Sequence, residues 1–97
     1  MSNMLISNTV TTVRFIYTDT DDCIATYTFP LSTGAIPHVS EGIFIHDIDE
    51  NVAERIKQKV KLDIFEFDYF TVDERMFVFD REGCTIEIFV TGQYLEI

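Results

Sequence analysis

Few residues in this sequence are of kinds that do chemistry. Its two histidines, His38 and His46, stand in or beside a loop region, and neither belongs to a recognisable nucleophile–base motif. Ser40 follows His38 closely, a pairing that a short polar loop commonly holds. Cys23 or Cys84 could reach a histidine only through the fold. Carboxylates are plentiful, but a pair works as acid and base only in a cleft that separates their pKa values. The run "DTDD" at 19–22 begins like a calcium loop, yet the glycine and the closing glutamate that such a loop needs are missing. No CxxC, HxxxH or HExxH offers a zinc site, and the four scattered glycines make neither a P-loop nor a dinucleotide turn. The expectation is a non-enzymatic protein with no catalytic residues, no metal and no cofactor.

What rises above background is charge. Seventeen acids against seven bases give a net charge of −10. The distribution is uneven: −4 over residues 1–48, +1 over 49–61 and −7 over 62–97. Phosphate neutralisation needs clustered Lys and Arg, so direct binding of nucleic acid or an anionic membrane is excluded, and a partner chosen by charge is basic. The candidate partner-binding residues are Glu66, Asp68, Asp73, Glu74, Asp80, Glu82 and Glu87. On a strand, Glu66 and Asp68 would lie about 6.8 Å apart on one face. That is comparable to the spacing of neighbouring phosphates, so such a row could occupy a groove that receives nucleic acid. The opposing expectation is a solvated face that only keeps the protein in solution.

The elements that must carry these residues read as follows. Thr12 to Phe29 predicts a hairpin turning at "DTDD", with Val13, Phe15 and Tyr17 alternating with polar neighbours and Ile24, Thr26 and Thr28 sharing a face. Pro30 ends it, and Gly34, Pro37 and Gly42 punctuate a loop before a short strand in "GIFIHDI". A helix over about residues 49–61 is predicted by Val52, Ile56 and Val60, widened by Ala53. Asp47 or Asp49 caps it, Glu50 stands in the first turn, and Lys57, Lys59 and Lys61 follow the dipole at the other end. "DIFEFDYFTV" predicts a strand with Phe65, Phe67 and Tyr69 on one face, Glu66 and Asp68 on the other, and a bulge near Tyr69. "RMFVF" is apolar on both faces, as a central covered strand would be. "DREG" is a turn, "CTIEIFV" returns with Ile86, Ile88 and Val90 inward, and Thr91-Gly92 turns into a last strand "YLEI".

The fold class expected is α+β in a single domain, 1–97: a curved antiparallel sheet or partly open small β-barrel with one packed helix. The first residues lack the basic and apolar regions of a signal peptide, so a cytoplasmic protein with free thiols is expected. The functional expectation is a small acidic binding protein that blocks a basic, nucleic-acid-binding partner. In size, charge and lack of catalytic motifs it is analogous to phage anti-defence inhibitors, anti-CRISPR proteins among them, and to toxin-immunity proteins. Two alternatives stand beside it. One is a domain that self-associates through a sheet edge, such as the C-terminal strand ending at Ile97; the other binds a small ligand in an aromatic pocket between sheet and helix.

Overall fold

Strands form where β-branched and aromatic residues alternate, and a helix forms where the apolar period changes to four. The computed structural model describes residues 10–30, 36–81 and 83–95. Strands β1 (Val10–Tyr17), β2 (Asp22–Pro30), β3 (Gly42–Ile43), β4 (Tyr69–Asp80) and β5 (Gly83–Gln93) make one sheet in the order β2-β1-β5-β4-β3. Helix α1 (Glu50–Val60) and a 3-10 turn at Ile64–Glu66 connect β3 to β4. The sheet curls into a half-barrel with the helix packed on it, the expected α+β architecture. It is mixed rather than wholly antiparallel, because β1 runs parallel to β5. A parallel pair needs a long crossover, and here the crossover carries β2, β3, the helix and β4.

Register decides which side chains meet. Val13, Phe15 and Tyr17 lie beside Ile86, Ile88 and Val90, and all six are buried on the inner face. Phe70 and Val72 extend this layer on β4, and the helix lays Val52, Ala53 and Ile56 into the same core. Burial, and then the nearby Asp19 carboxylate, push the Tyr17 phenol up to about 12. A bulge between Phe15 and Ile16 puts Ala25 and Tyr27, rather than Thr26 and Thr28, across from the core residues of β1.

The helix begins where expected, because the Asp49 side chain accepts hydrogen bonds from the N–H groups of Asn51 (2.9 Å) and Val52 (3.2 Å). It ends at Lys61, whose left-handed backbone (φ 59°) lets its N–H donate to the Lys57 carbonyl. Val60, expected in the apolar stripe, is 41% exposed, so the buried stripe is one turn shorter than the pattern suggested. The Asp49 N–H also donates to the Ile24 carbonyl (2.9 Å), tying the helix start to the outer margin of β2.

Lys59 (3.2 Å) and Arg55 (3.6 Å) of the helix both pair with Asp22 at the start of β2. The neighbouring Thr20 hydroxyl, then Lys59 and Arg55, hold the Asp22 carboxyl below its ordinary value, while partial burial pulls the other way. A carboxyl depressed in the folded state adds stability above its unfolded pKa, and that stability is lost as pH falls through the folded value. Asp22→Asn should therefore lower stability at neutral pH by under about 1 kcal/mol, since both cations are half exposed. Urea titrations of the two proteins should converge once the pH drops well below 3.8. A gap that stays constant down to acid pH would exclude the ionic contribution.

Four local expectations are corrected. Residues 64–66 form a 3-10 turn, not a strand, because the Asp63 carboxylate accepts the Phe65 N–H (3.0 Å) and winds the chain. Phe65 is consequently exposed, and β4 starts only at Tyr69. The bulge falls between Val72 and Glu74 rather than near Tyr69. Among the described residues no strand follows β5: pairing runs through Thr91 and Gly92 to Gln93, Tyr94 and Leu95 lie outside the sheet, and residues 96–97 of the expected last strand lie outside the described residues. Of "GIFIHDI", only Gly42 and Ile43 pair, opposite Thr71 and Phe70.

That last shortening overturns the reading of "RMFVF" as a central strand. Beyond Phe70 and Thr71, the described backbone bonded to the outer margin of β4 is the loop at Ser40 and Glu41, which exchanges hydrogen bonds with Val72. From Glu74 to Asp80 no described strand lies outside β4, and Met76, Phe77, Val78 and Phe79 are all exposed.

Candidate docking face on the outer hairpin

Cross-strand partners share a face, so the β4–β5 register sorts the hairpin into two sides. Arg75, Phe77 and Phe79 lie opposite Ile88, Ile86 and Cys84 and belong to the concave side. Glu74, Met76, Val78 and Asp80 lie opposite Phe89, Glu87, Thr85 and Gly83 and belong to the convex side. The convex side thus carries an exposed apolar pair, Met76 and Val78, between carboxylates.

Each carboxylate singled out from the sequence, Glu82 excepted, now has a position. Glu74, Asp80 and Glu87 share the convex side of the hairpin, and Asp73 bulges out beside Glu74. Asp73 accepts hydrogen bonds from the hydroxyls of Thr18 (2.8 Å) and Thr91, which lock the bulge to the end of β1 and to β5. Asp80 accepts the Gly83 N–H (3.1 Å) and shapes the hairpin turn. Glu87 is paired to Arg14 at 2.6 Å, so its charge is largely compensated within the sheet. Glu66 and Asp68 do not join this group. They precede β4 at the other end of the hairpin, Glu66 in the 3-10 turn and Asp68 accepting the Leu95 N–H (2.7 Å). The regular strand row of Glu66 and Asp68 is therefore not formed. Glu82 lies outside the described residues.

The apolar residues of β4 were missed as surface, although a signal was present. "ERMFVFDRE" brackets its apolar run with charge on both sides, the pattern by which edge strands are protected from indiscriminate pairing. On the concave side, the Arg75 guanidinium sits over the Phe77 ring at 5.5 Å, and Phe77 stacks on Phe79 at 6.4 Å and 17°. Arg75 also donates to the Pro37 carbonyl at 3.3 Å.

A cavity of about 420 Å³ opens on the concave side, lined by Val13, Phe15, Tyr27, Ile36, Ile43 and Ile45 among others. It lies between the sheet and the segment 36–45, whereas the pocket expected from sequence lay under the helix. Tyr27 at its wall is shifted upward by burial and by Asp47, to which its hydroxyl donates at 3.5 Å.

His38 and His46 are exposed; His46 stacks with Phe44 at 6.5 Å. The Cys23 thiol meets the Ala25 carbonyl and the Thr26 hydroxyl. Cys84 is separated from Cys23 by β1, and their β1 neighbours, Thr11 and Ile16, stand near opposite ends of that strand. Both thiols are unpaired. Among the described residues no cluster of His, Cys, Asp and Glu is arranged to hold a metal ion, and no helix is long and apolar enough to cross a membrane. No protein-family model, curated protein or solved structure matches this chain significantly.

Proposed function

We propose that this chain is a small, non-catalytic binding protein that sits on the basic surface of a nucleic-acid-binding partner and blocks it. The observation that supports this most is the convex side of the β4–β5 hairpin. There, exposed Met76 and Val78 lie between the carboxylates of Asp73 and Glu74 at one end and Asp80 at the other. An apolar centre with a charged rim is how docking faces are built: the centre supplies affinity, the rim selects the partner. The net charge of −10 adds long-range attraction for a basic target and speeds encounter. In this reading the protein acts in the manner of phage anti-defence or immunity inhibitors.

The test begins with the immobilised chain and a lysate, followed by kinetics on the captured protein across a salt series. The captured protein should be basic, should be displaced by added DNA or RNA, and should leave as salt rises. Glu74→Gln with Asp80→Asn should slow its association about tenfold without unfolding the chain, because asparagine keeps the acceptor for Gly83. Salt-indifferent binding that nucleic acid does not compete would sink this proposal. The 420 Å³ cavity favours a second reading, a carrier of a small apolar ligand, for which a ligand-dependent rise in melting temperature is the signature.

A further inference from the structure

We infer that the margin of β4 that no described strand covers is a self-association edge: two copies of this chain join antiparallel through residues Glu74 to Asp80. The inference stands independently of the inhibitory reading. In an antiparallel strand, alternate residues direct their N–H and C=O groups to one neighbour and then the other. Between Glu74 and Asp80, β5 satisfies one set and no described strand satisfies the other. The open stretch is bounded by Ser40 and Glu41, bonded to Val72, and by the turn after Asp80.

A second copy fits this stretch because the side chains match when the strand is reversed on itself. The two-fold register that uses all of it is centred on Phe77, which then faces Phe77 of the second copy. Met76 faces Val78 of the second copy on the convex side, an apolar pair repeated by symmetry. Arg75 faces Phe79 of the second copy on the concave side, extending the cation–ring contact that Arg75 already makes with Phe77. The same register carries Arg81 of each copy toward Asp73 and Glu41 of the other, which supplies charge complementarity at both ends. Phe79, at 76% exposure, gains the most cover. One kind of pair is unfavourable and symmetry repeats it: Glu74 faces Asp80 of the second copy.

That pair and the net charge of −10 on each chain give the dimer a recognisable signature. Salt screens like charges, so self-association should tighten as salt is added, opposite in sign to the binding of a basic partner. The register makes a sharper prediction. Glu74→Lys turns two repulsive pairs into attractive ones, and should tighten the dimer about tenfold at low salt and weaken or reverse its salt dependence. Phe79→Lys sets a lysine against Arg75 of the second copy and should loosen the dimer by about tenfold or more. Both sites are exposed, and circular dichroism and thermal melts will show whether the variants fold.

The experiment is sedimentation equilibrium of the full chain and both variants across concentration and salt, with hydrogen exchange of the native chain at low and high concentration. Expected are a native dimer, the two opposite shifts, and concentration-dependent protection of backbone amides confined to residues 74–80. If Phe79→Lys does not fold, Glu74→Lys and the exchange pattern decide. A native chain that stays monomeric at its highest soluble concentration and salt overturns the inference, and so does a dimer indifferent to both variants or protected elsewhere.

Discussion

Ile56→Ala is expected to destabilise the protein by about 3 kcal/mol, from the lost transfer free energy and the cavity left behind. Ile56 is fully buried at the centre of the helix and belongs to the one core that sheet and helix share. Refilling that cavity would require the helix to slide on β2, and it is pinned there by the Asp49–Ile24 hydrogen bond and by Asp22. In a domain of this size a loss of that order lowers the melting temperature by about 15 °C. Val60→Ala, one turn on, should lower it by only a few degrees, because Val60 is already substantially exposed. Thermal melts followed by circular dichroism will compare the two. Equal losses would mean that the apolar stripe extends to the end of the helix after all.

Gly92→Ala is expected to cost about 2 kcal/mol, although it adds a single methyl group. A Cβ at this position would stand 2.1 Å from the Phe67 ring. Real carbon atoms do not approach so closely, so the ring must leave its place. Phe67 packs against Tyr17, Phe70 and Tyr94, with centroids 6.3, 5.7 and 5.2 Å away. Displacing it loosens the corner where β4 begins and where the 3-10 turn leads into the sheet. The cost should appear in urea titration, and the double variant Phe67→Ala, Gly92→Ala should show it largely relieved relative to Phe67→Ala alone. If Gly92→Ala costs as much in the Phe67→Ala background as in the native one, the ring is not what opposes the methyl group.

The helix, the first hairpin and β5 were legible in the sequence because each is decided locally. Asp49 caps, lysines follow the dipole, and Ile86, Ile88 and Val90 alternate without interruption. Residues 63–80 were misread for two reasons, one a side-chain cap and one nonlocal. Alternation of Phe65, Glu66, Phe67 and Asp68 is the signature of a half-buried strand, but the Asp63 side chain captures the Phe65 N–H and coils the segment first. "RMFVF" is apolar on both faces whether a strand is covered or bare. Only the length of its outer neighbour tells the two apart, and β3 stops after Ile43. The candidate site shared that fate. Acids at 73, 74, 80 and 87 do meet on or beside one face, while Glu66 and Asp68 were assigned to it through a strand that does not form. The cavity wall at 36–45 carries little periodic signal beyond the short strand at Gly42–Ile43, since the rest of its backbone is irregular.

The Asp49–Ile24 hydrogen bond has a bearing on stoichiometry. A sheet with two open margins can recruit copies at both and propagate without limit, which is how filaments grow. Here the margin opposite β4 belongs to β2, where the helix start occupies the Ile24 carbonyl and Pro30 contributes no N–H at the strand's end. A chain blunted on that side and open on the other can add one copy, after which the open margins are consumed by each other. On the inferred pairing, assembly would terminate at two. The helix would thus serve as a stopper as well as a packing layer. Variants that detach it would be prone to polymerise rather than merely to unfold.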